Sequence, residues 1–148
     1  MSTGSTETRS DTPPSPDLAI RCQVVTPERI VLDEWVRQVV VPLPDGEFGI
    51  AKNHDPVIAR LGYGSLRLKL ATLDKNYFLD GGFLQIRDNH VVILTNRAQE
   101  ATGLRAEEIE KDLASARSRP ASDDVSIEAR LTEIDKLRTR LRMAKRTK

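Results

Sequence analysis

The chain has 148 residues, 39% of them hydrophobic and 30% charged, with a net charge of +1. That fits a soluble domain of ordinary size with an appendage, and the whole is neither strongly acidic nor basic enough to mark a nucleic-acid binder. The single Cys22 excludes an internal disulfide framework and a cysteine-based zinc cluster. No apolar run approaches the roughly 18–20 residues that cross a bilayer, so any membrane association must come through a partner.

Residues 2–17 (STGSTETRSDTPPSPD) carry no apolar side chain except proline rings. Such a segment cannot bury enough surface to offset its ordering entropy, so residues 1–17 read as a disordered tail. The tail lacks the apolar core of a secretory signal, and Glu7, Asp11 and Asp17 are foreign to a transit peptide.

From Leu18 to about Ala101 the pattern is all β. Ile20, Cys22 and Val24 alternate with Arg21 and Gln23, the period of a half-buried strand. Cys22 reads as a small buried hydrophobe. After a Thr26–Arg29 turn, Ile30-Val31-Leu32 opens the next segment. Trp35 through Val41 reads as one central strand stopped by Pro42 and Pro44. The Asp45-Gly46 turn leads to Phe48-Gly49-Ile50 and a loop, Lys52 to Pro56. Leu66, Leu68 and Leu70 then alternate with Arg67 and Lys69. Tyr77–Leu79, Phe83–Ile86 and Val91–Leu94 follow, interrupted by Gly81-Gly82 and by a hairpin turn at Arg87-Asp88-Asn89. Short strands this closely spaced predict a sandwich or barrel.

Near Thr102 the period becomes helical. Ala106, Ile109, Leu113 and Ala116 form one stripe, with early acids that suit a helix N-terminus. Residues 118–123 break the helix and offer caps for a second, whose stripe is Ile127, Leu131, Ile134, Leu137 and Leu141. The expected domains are a sandwich over 18–103 and an antiparallel helical hairpin over 104–148. The hairpin has little core of its own and should be marginally held.

Catalytic chemistry finds little support. His54 and His90 are far apart, without cysteine or carboxylate spacing suited to a metal. His90 reads as a solvated turn residue and His54 as a structural loop residue. Neither Gly46-Glu47-Phe48-Gly49 nor Gly81-Gly82 has phosphate-loop spacing or opens a helix. No cofactor or metal is expected.

The C-terminus is informative. Lys136, Arg138, Arg140, Arg142, Lys145, Arg146 and Lys148 are seven cations in a run without an acid. Several are like-charge i,i+4 pairs, each costing an isolated helix about 0.2–0.5 kcal/mol. The helix dipole acts only over the last turn, so it does not account for Lys136 to Arg140. A solvated helix end and contact with an acidic partner both remain open on this pattern.

The order of these pieces resembles the epsilon subunit of bacterial and chloroplast F-type ATP synthases. The resemblance covers about residues 19–145 and is carried by Val24–Arg29, Asp45–Ile50, Asn53–Pro56, Gly64–Leu68, Asp80–Leu84 and Val91–Leu94, followed by a two-helix tail. It implies an α+β protein, a ten-stranded β-sandwich followed by a two-helix hairpin. It also implies a non-catalytic rotor subunit that binds gamma and rests on the membrane c-ring. The ring-facing loop falls on Asp45, Gly46, Glu47, Phe48 and His54. In the family the helices fold down on the sandwich or extend along gamma, where basic residues meet the catalytic alpha/beta head and block hydrolysis. Those residues fall on Lys136, Arg138, Arg140, Arg142, Lys145 and Arg146. The implied place is the cytoplasmic face of a bacterial inner membrane, peripheral and held through the complex.

Some members bind ATP through I/L-D-x-x-R-A in the first helix. Here Leu104-Arg105-Ala106-Glu107-Glu108 has arginine for the acid and glutamate for the arginine, and only Lys136 and Arg140 sit near the second-helix basic positions. ATP is therefore not an expected ligand. Two other classes compete: a β-sandwich module whose basic helix contacts nucleic acid, and an enzyme. The near-neutral charge and the lack of aromatics among the basic residues weigh against the first. The scarcity of His and Cys weighs against the second.

Overall fold

The computed structural model describes residues 12–146. Residues 1–11 of the expected tail, and Thr147 and Lys148 at the other end, lie outside the described residues. Residues 12–19 contain no helix or strand.

The elements in chain order are β1 (Ile20–Val25), β2 (Ile30–Val36), β3 (Gln38–Leu43), β4 (Gly46–Ile50), β5 (Val57–Lys69), β6 (Asp74–Arg87), β7 (His90–Leu94) and β8 (Ala98–Glu100). A single 3₁₀ turn (Ala101–Gly103) leads to α1 (Ala106–Ser118) and α2 (Asp124–Arg146). Strand pairing follows the order β2-β1-β7-β6-β5-β3-β4, with β8 added on β6. All pairs are antiparallel except β1 with β7.

Burial parity shows how this path folds into two layers. In β5 the core side chains are Val57, Ala59 and Leu61, then Leu66 and Leu68. In β6 they are Tyr77 and Leu79, then Leu84 and Ile86. Side chains alternate across a strand, so each change from odd to even marks a place where the strand rolls over. The changes fall at Gly62–Gly64 and Gly81-Gly82. Each long strand thus serves both layers. One layer is β2, β1, β7 and the halves of β6 and β5 nearest Ile86 and Val57. The other is β4, β3, the remaining halves of β5 and β6, and β8. The described residues therefore form eight strands where ten were expected, because two long strands do the work of four.

The same shift splits the expected Trp35–Val41 strand. Leu32 and Val36 face the core at even positions, Val39 and Val41 at odd ones. The roll occurs at Arg37, whose N–H donates to Lys69 O at 2.7 Å. Pro42 lies inside β3, past the end of its ladder with β5, where no amide is needed on that side.

The β6–β7 hairpin closes through Asp88 and Asn89, both at positive φ (51° and 60°), the geometry of a type I′ turn. Cys22 is fully buried among the core side chains, and burial pushes its thiol up to about 12. It is an inert packing residue.

Two buried clusters result. The inter-layer cluster holds seventeen residues, nearly all Val, Ile and Leu. The second holds nine, three of them alanine, and joins Phe78 and Ala101 to α1 and α2. At about 1.5–3 kcal/mol per large side chain buried, the sandwich core far outweighs the cluster that holds the hairpin. Phe78 belongs to the second cluster because it points away from the core, between inward Tyr77 and Leu79.

Candidate functional site

Three surfaces carry features that folding alone does not require. The first is the β4 end of the sandwich. Glu47 lies in β4, paired with Pro42, rather than in the expected loop. Its two carboxylate oxygens each accept from Arg67 Nη2 at 3.2 Å. Both side chains are more than half exposed. His54 Nδ1 donates to Asp55 O at 2.8 Å, and its ring meets Phe48 edge-on at 5.2 Å. Asn53, at φ 64°, is tied to the β6–β7 turn through Asn89: its N–H donates to Asn89 Oδ1 at 2.5 Å, and Asn89 Nδ2 donates to Asn53 Oδ1 at 3.2 Å. Phe48 of β4 and His54 of the following loop are thus brought together, the loop being tied to the β6–β7 turn, while the Asp45-Gly46 turn sits at the far end of β4. Glu47→Ala should change stability by less than about 1 kcal/mol, since only an exposed ion pair is lost. Thermal unfolding checks this.

The second surface is the hairpin's seat on the sandwich. α2 begins on Asp123, whose Oδ1 accepts from Ser126 N–H at 2.7 Å and which is held below the usual carboxylate range by hydrogen bonds from the Ser126 side chain and backbone. The helices are antiparallel: Arg119 pairs with Glu133 at 3.0 Å and Lys145 with Glu110 at 3.7 Å. The expected second stripe is only half used. Leu137 is buried, with Ile134 and Leu141 partly so, but Leu131 is 57% exposed and Ile127 37%. Because α1 ends opposite Glu133, the first turns of α2 run past it and have nothing to pack on.

The basic run divides by face. Lys136 reaches Asp80 Oδ1 at 2.6 Å and lies 5.5 Å from the centre of the Tyr63 ring. Arg140 Nη2 donates to Gln99 Oε1 at 3.0 Å, and its guanidinium stands 5.7 Å from the Phe78 ring centre. Between them Tyr63 Oη donates to Asp135, which raises the tyrosine's pKa. Arg138, Arg142, Lys145 and Arg146 are exposed. Asp80 thus offsets part of the like-charge cost that the sequence left unexplained.

The third surface was not singled out from sequence. On the outer face of the first layer, β7 and β6 place Leu94 directly opposite Phe83, with Val25 beside Leu94. Phe83 is 58% exposed, Leu94 51% and, one row over, Ile58 80%. A shallow apolar depression of about 350 Å³ lies between Phe83, Leu94 and the Val25–Pro27 turn. A neighbouring polar network borders it. Asp33 accepts from Arg21 and Gln23, and His90 Nε2 donates to Gln23 Oε1 at 2.7 Å. His90 is therefore half-buried in β7 rather than solvated in a turn, because β7 pairs in parallel with β1. The signal in the sequence was apolar residues at both parities of one strand: Phe83 beside Leu84, Leu94 beside Ile93, Ile58 beside Val57.

Among the described residues, no cluster of His, Cys, Asp or Glu could hold a metal, and no helix is long and apolar enough to cross a membrane.

Comparison with known proteins agrees with this architecture. The family model of the ATP synthase delta/epsilon chain beta-sandwich domain matches residues 19–101. The ATP synthase epsilon chain of Rhodopirellula baltica is 40% identical over 128 residues, 86% of this chain and 100% of that one. The epsilon chain of Carboxydothermus hydrogenoformans is 40% identical over 102 residues, 69% of this chain and 76% of that one. Among solved structures, a chain of the Euglena gracilis mitochondrial ATP synthase (OSCP/F1/c-ring) superposes with a TM-score of 0.75 at 20% identity, covering 88% of this chain and 84% of that one. A chain of the Tetrahymena thermophila mitochondrial ATP synthase central stalk/c-ring gives 0.69 at 13% identity, covering 88% and 99%.

Proposed function

The chain belongs to the ATP synthase epsilon-chain family, and on that footing we propose how it couples the machine: its first-layer outer face binds the gamma subunit, its β4 end rests on the c-ring, and its α2 cations restrain the catalytic head. The chain is a non-catalytic rotor subunit of the ATP synthase. The observation that carries the gamma assignment is the exposed pair Phe83 and Leu94, with Ile58 one row over. Soluble domains seldom expose large apolar side chains together unless a partner covers them. These residues lie on the layer facing away from the hairpin, so the partner can stay bound whether or not the helices move.

Glu47, Phe48 and His54 serve the ring end together with Asp45 and Gly46. Glu47 is exposed, Phe48 and His54 are partly so, and the backbone beside His54 is tied to Asn89 through Asn53, which suits a surface bearing on a moving partner. The brake reading rests on the four exposed cations Arg138, Arg142, Lys145 and Arg146, with Lys136 and Arg140 joining when α2 leaves the sandwich. Residues 104–148 would reach roughly 65 Å as continuous helix, far enough to run along a central stalk. The groove between hairpin and sandwich, about 770 Å³, mixes Arg97, Arg119, Lys136 and Arg140 with Asp80, Asp112, Glu128 and Glu133. So balanced a lining gives a triphosphate no net attraction. The place proposed is the cytoplasmic face of a bacterial inner membrane, reached only through the complex.

The domain division supplies the test. Truncation after Gly103 keeps every strand and the inter-layer core, losing only the helices. Complexes rebuilt with residues 1–103 should synthesise ATP as the full chain does but hydrolyse it severalfold faster. Loss of synthesis would count against the sandwich as the coupling unit. Equal hydrolysis in assembled complexes would leave a coupling subunit without a brake.

A further inference from the structure

We infer that Asp80, with Tyr63 and Gln99, forms a latch that holds α2 on the sandwich by occupying Lys136 and Arg140. The docked hairpin and the catalytic head would then compete for the same two cations. The seat is narrow. Outside the helices, Phe78, Ala101 and Leu104 enter the buried cluster, with Tyr63 packed against it, and open grooves of about 770 and 820 Å³ flank α2. Apolar burial alone holds such a strip weakly, so its polar contacts decide docking.

The contacts are unequal. Lys136 and Asp80 meet at 2.6 Å with both side chains about one-third exposed, beside the Tyr63 ring. A cation over an aromatic face and against a carboxylate is well compensated there. Arg140 is not. Burial and the nearby charge of Arg97 lower its pKa, and its Nε is buried without a hydrogen-bond partner. Lys136 is therefore the firm fastening of the helix and Arg140, held through Gln99 and the Phe78 ring with its Nε unpaired, the weaker one. Asp80 lies on β6 beside the roll at Gly81, its own N–H donating to Arg97 O at 3.1 Å, so the carboxylate is fixed to the rigid domain.

The masking of the cations rests on the brake reading; the latch itself does not, and hydrogen–deuterium exchange of the full chain separates them because no catalytic head is present. Asp80→Lys should speed exchange of the α2 amides at residues 137–146 roughly fivefold, the size expected for a partly exposed ion pair. Amides of β1 serve as the control for an intact sandwich. Lys136→Met should loosen the helix likewise without altering any strand. Pairing Asp80→Lys with Lys136→Asp should restore exchange to within about twofold of wild type. Unchanged α2 exchange in Asp80→Lys and Lys136→Met, or loosening that the swapped pair fails to reverse, overturns the latch. A loosened helix with unaltered hydrolysis in the assembled complex overturns the masking and the brake, and leaves the latch standing.

Discussion

Replacing Gly82 with alanine is expected to destabilise the sandwich by roughly 3–5 kcal/mol, enough to lower its melting temperature by more than about 10 °C. Gly82 sits at φ +122°, and a Cβ there would lie 2.0 Å from Leu94 O and 2.9 Å from Thr95 Cα. Those are backbone atoms of β7 and its exit, so no rotamer change relieves the clash. Either the β6–β7 ladder opens at Phe83 and Leu94 or β6 loses the roll that carries it between layers. Gly103→Ala is the control, since its Cβ would meet nothing within 4 Å. Calorimetric unfolding of the two variants decides. A Gly82→Ala protein melting with the wild type would mean that the roll does not depend on this close approach.

Phe83→Asp should weaken capture of gamma at least about thirtyfold, the loss of one central anchor of an interface. Its fold should not suffer, because Phe83 is 58% exposed and points away from the inter-layer core. Val125→Asp, at the 78% exposed start of α2, should leave capture unchanged. A titration of purified gamma against the three proteins measures both. Equal affinity for wild type and Phe83→Asp would remove this face from the proposed interface.

Much of the fold was legible because it rests on local patterns. Ile20, Cys22 and Val24 alternate as a strand with one wet face, and Asp88-Asn89 supplies a turn both of whose residues tolerate positive φ. Ile109, Leu113 and Ala116 are buried at the helical spacing that predicted them. The failures are equally physical. Trp35 to Val41 is apolar at both parities, so nothing in its pattern marks Arg37 as a crossing; only pairing with different neighbours divides it. Ile127 and Leu131 share a stripe with Leu137, but the length of α1 decides which are covered, and periodicity carries no information about a neighbour's end. The basic run showed an uncompensated charge without showing that Asp80, more than fifty residues earlier, supplies part of the answer. The outer apolar row went unremarked because each member belongs to a strand already explained by its inward residues.

The most direct test of the central claim is a photo-reactive phenylalanine at position 83, activated in assembled complexes that make ATP. Position 83 stands directly opposite Leu94 on the exposed apolar face, and its aromatic ring is replaced by one of similar shape, so folding and assembly should be undisturbed. Gamma should be crosslinked in high yield, with or without residues 104–148. A crosslink to the c-ring or the catalytic head instead, or none to gamma in a complex shown to be coupled, would contradict the gamma assignment.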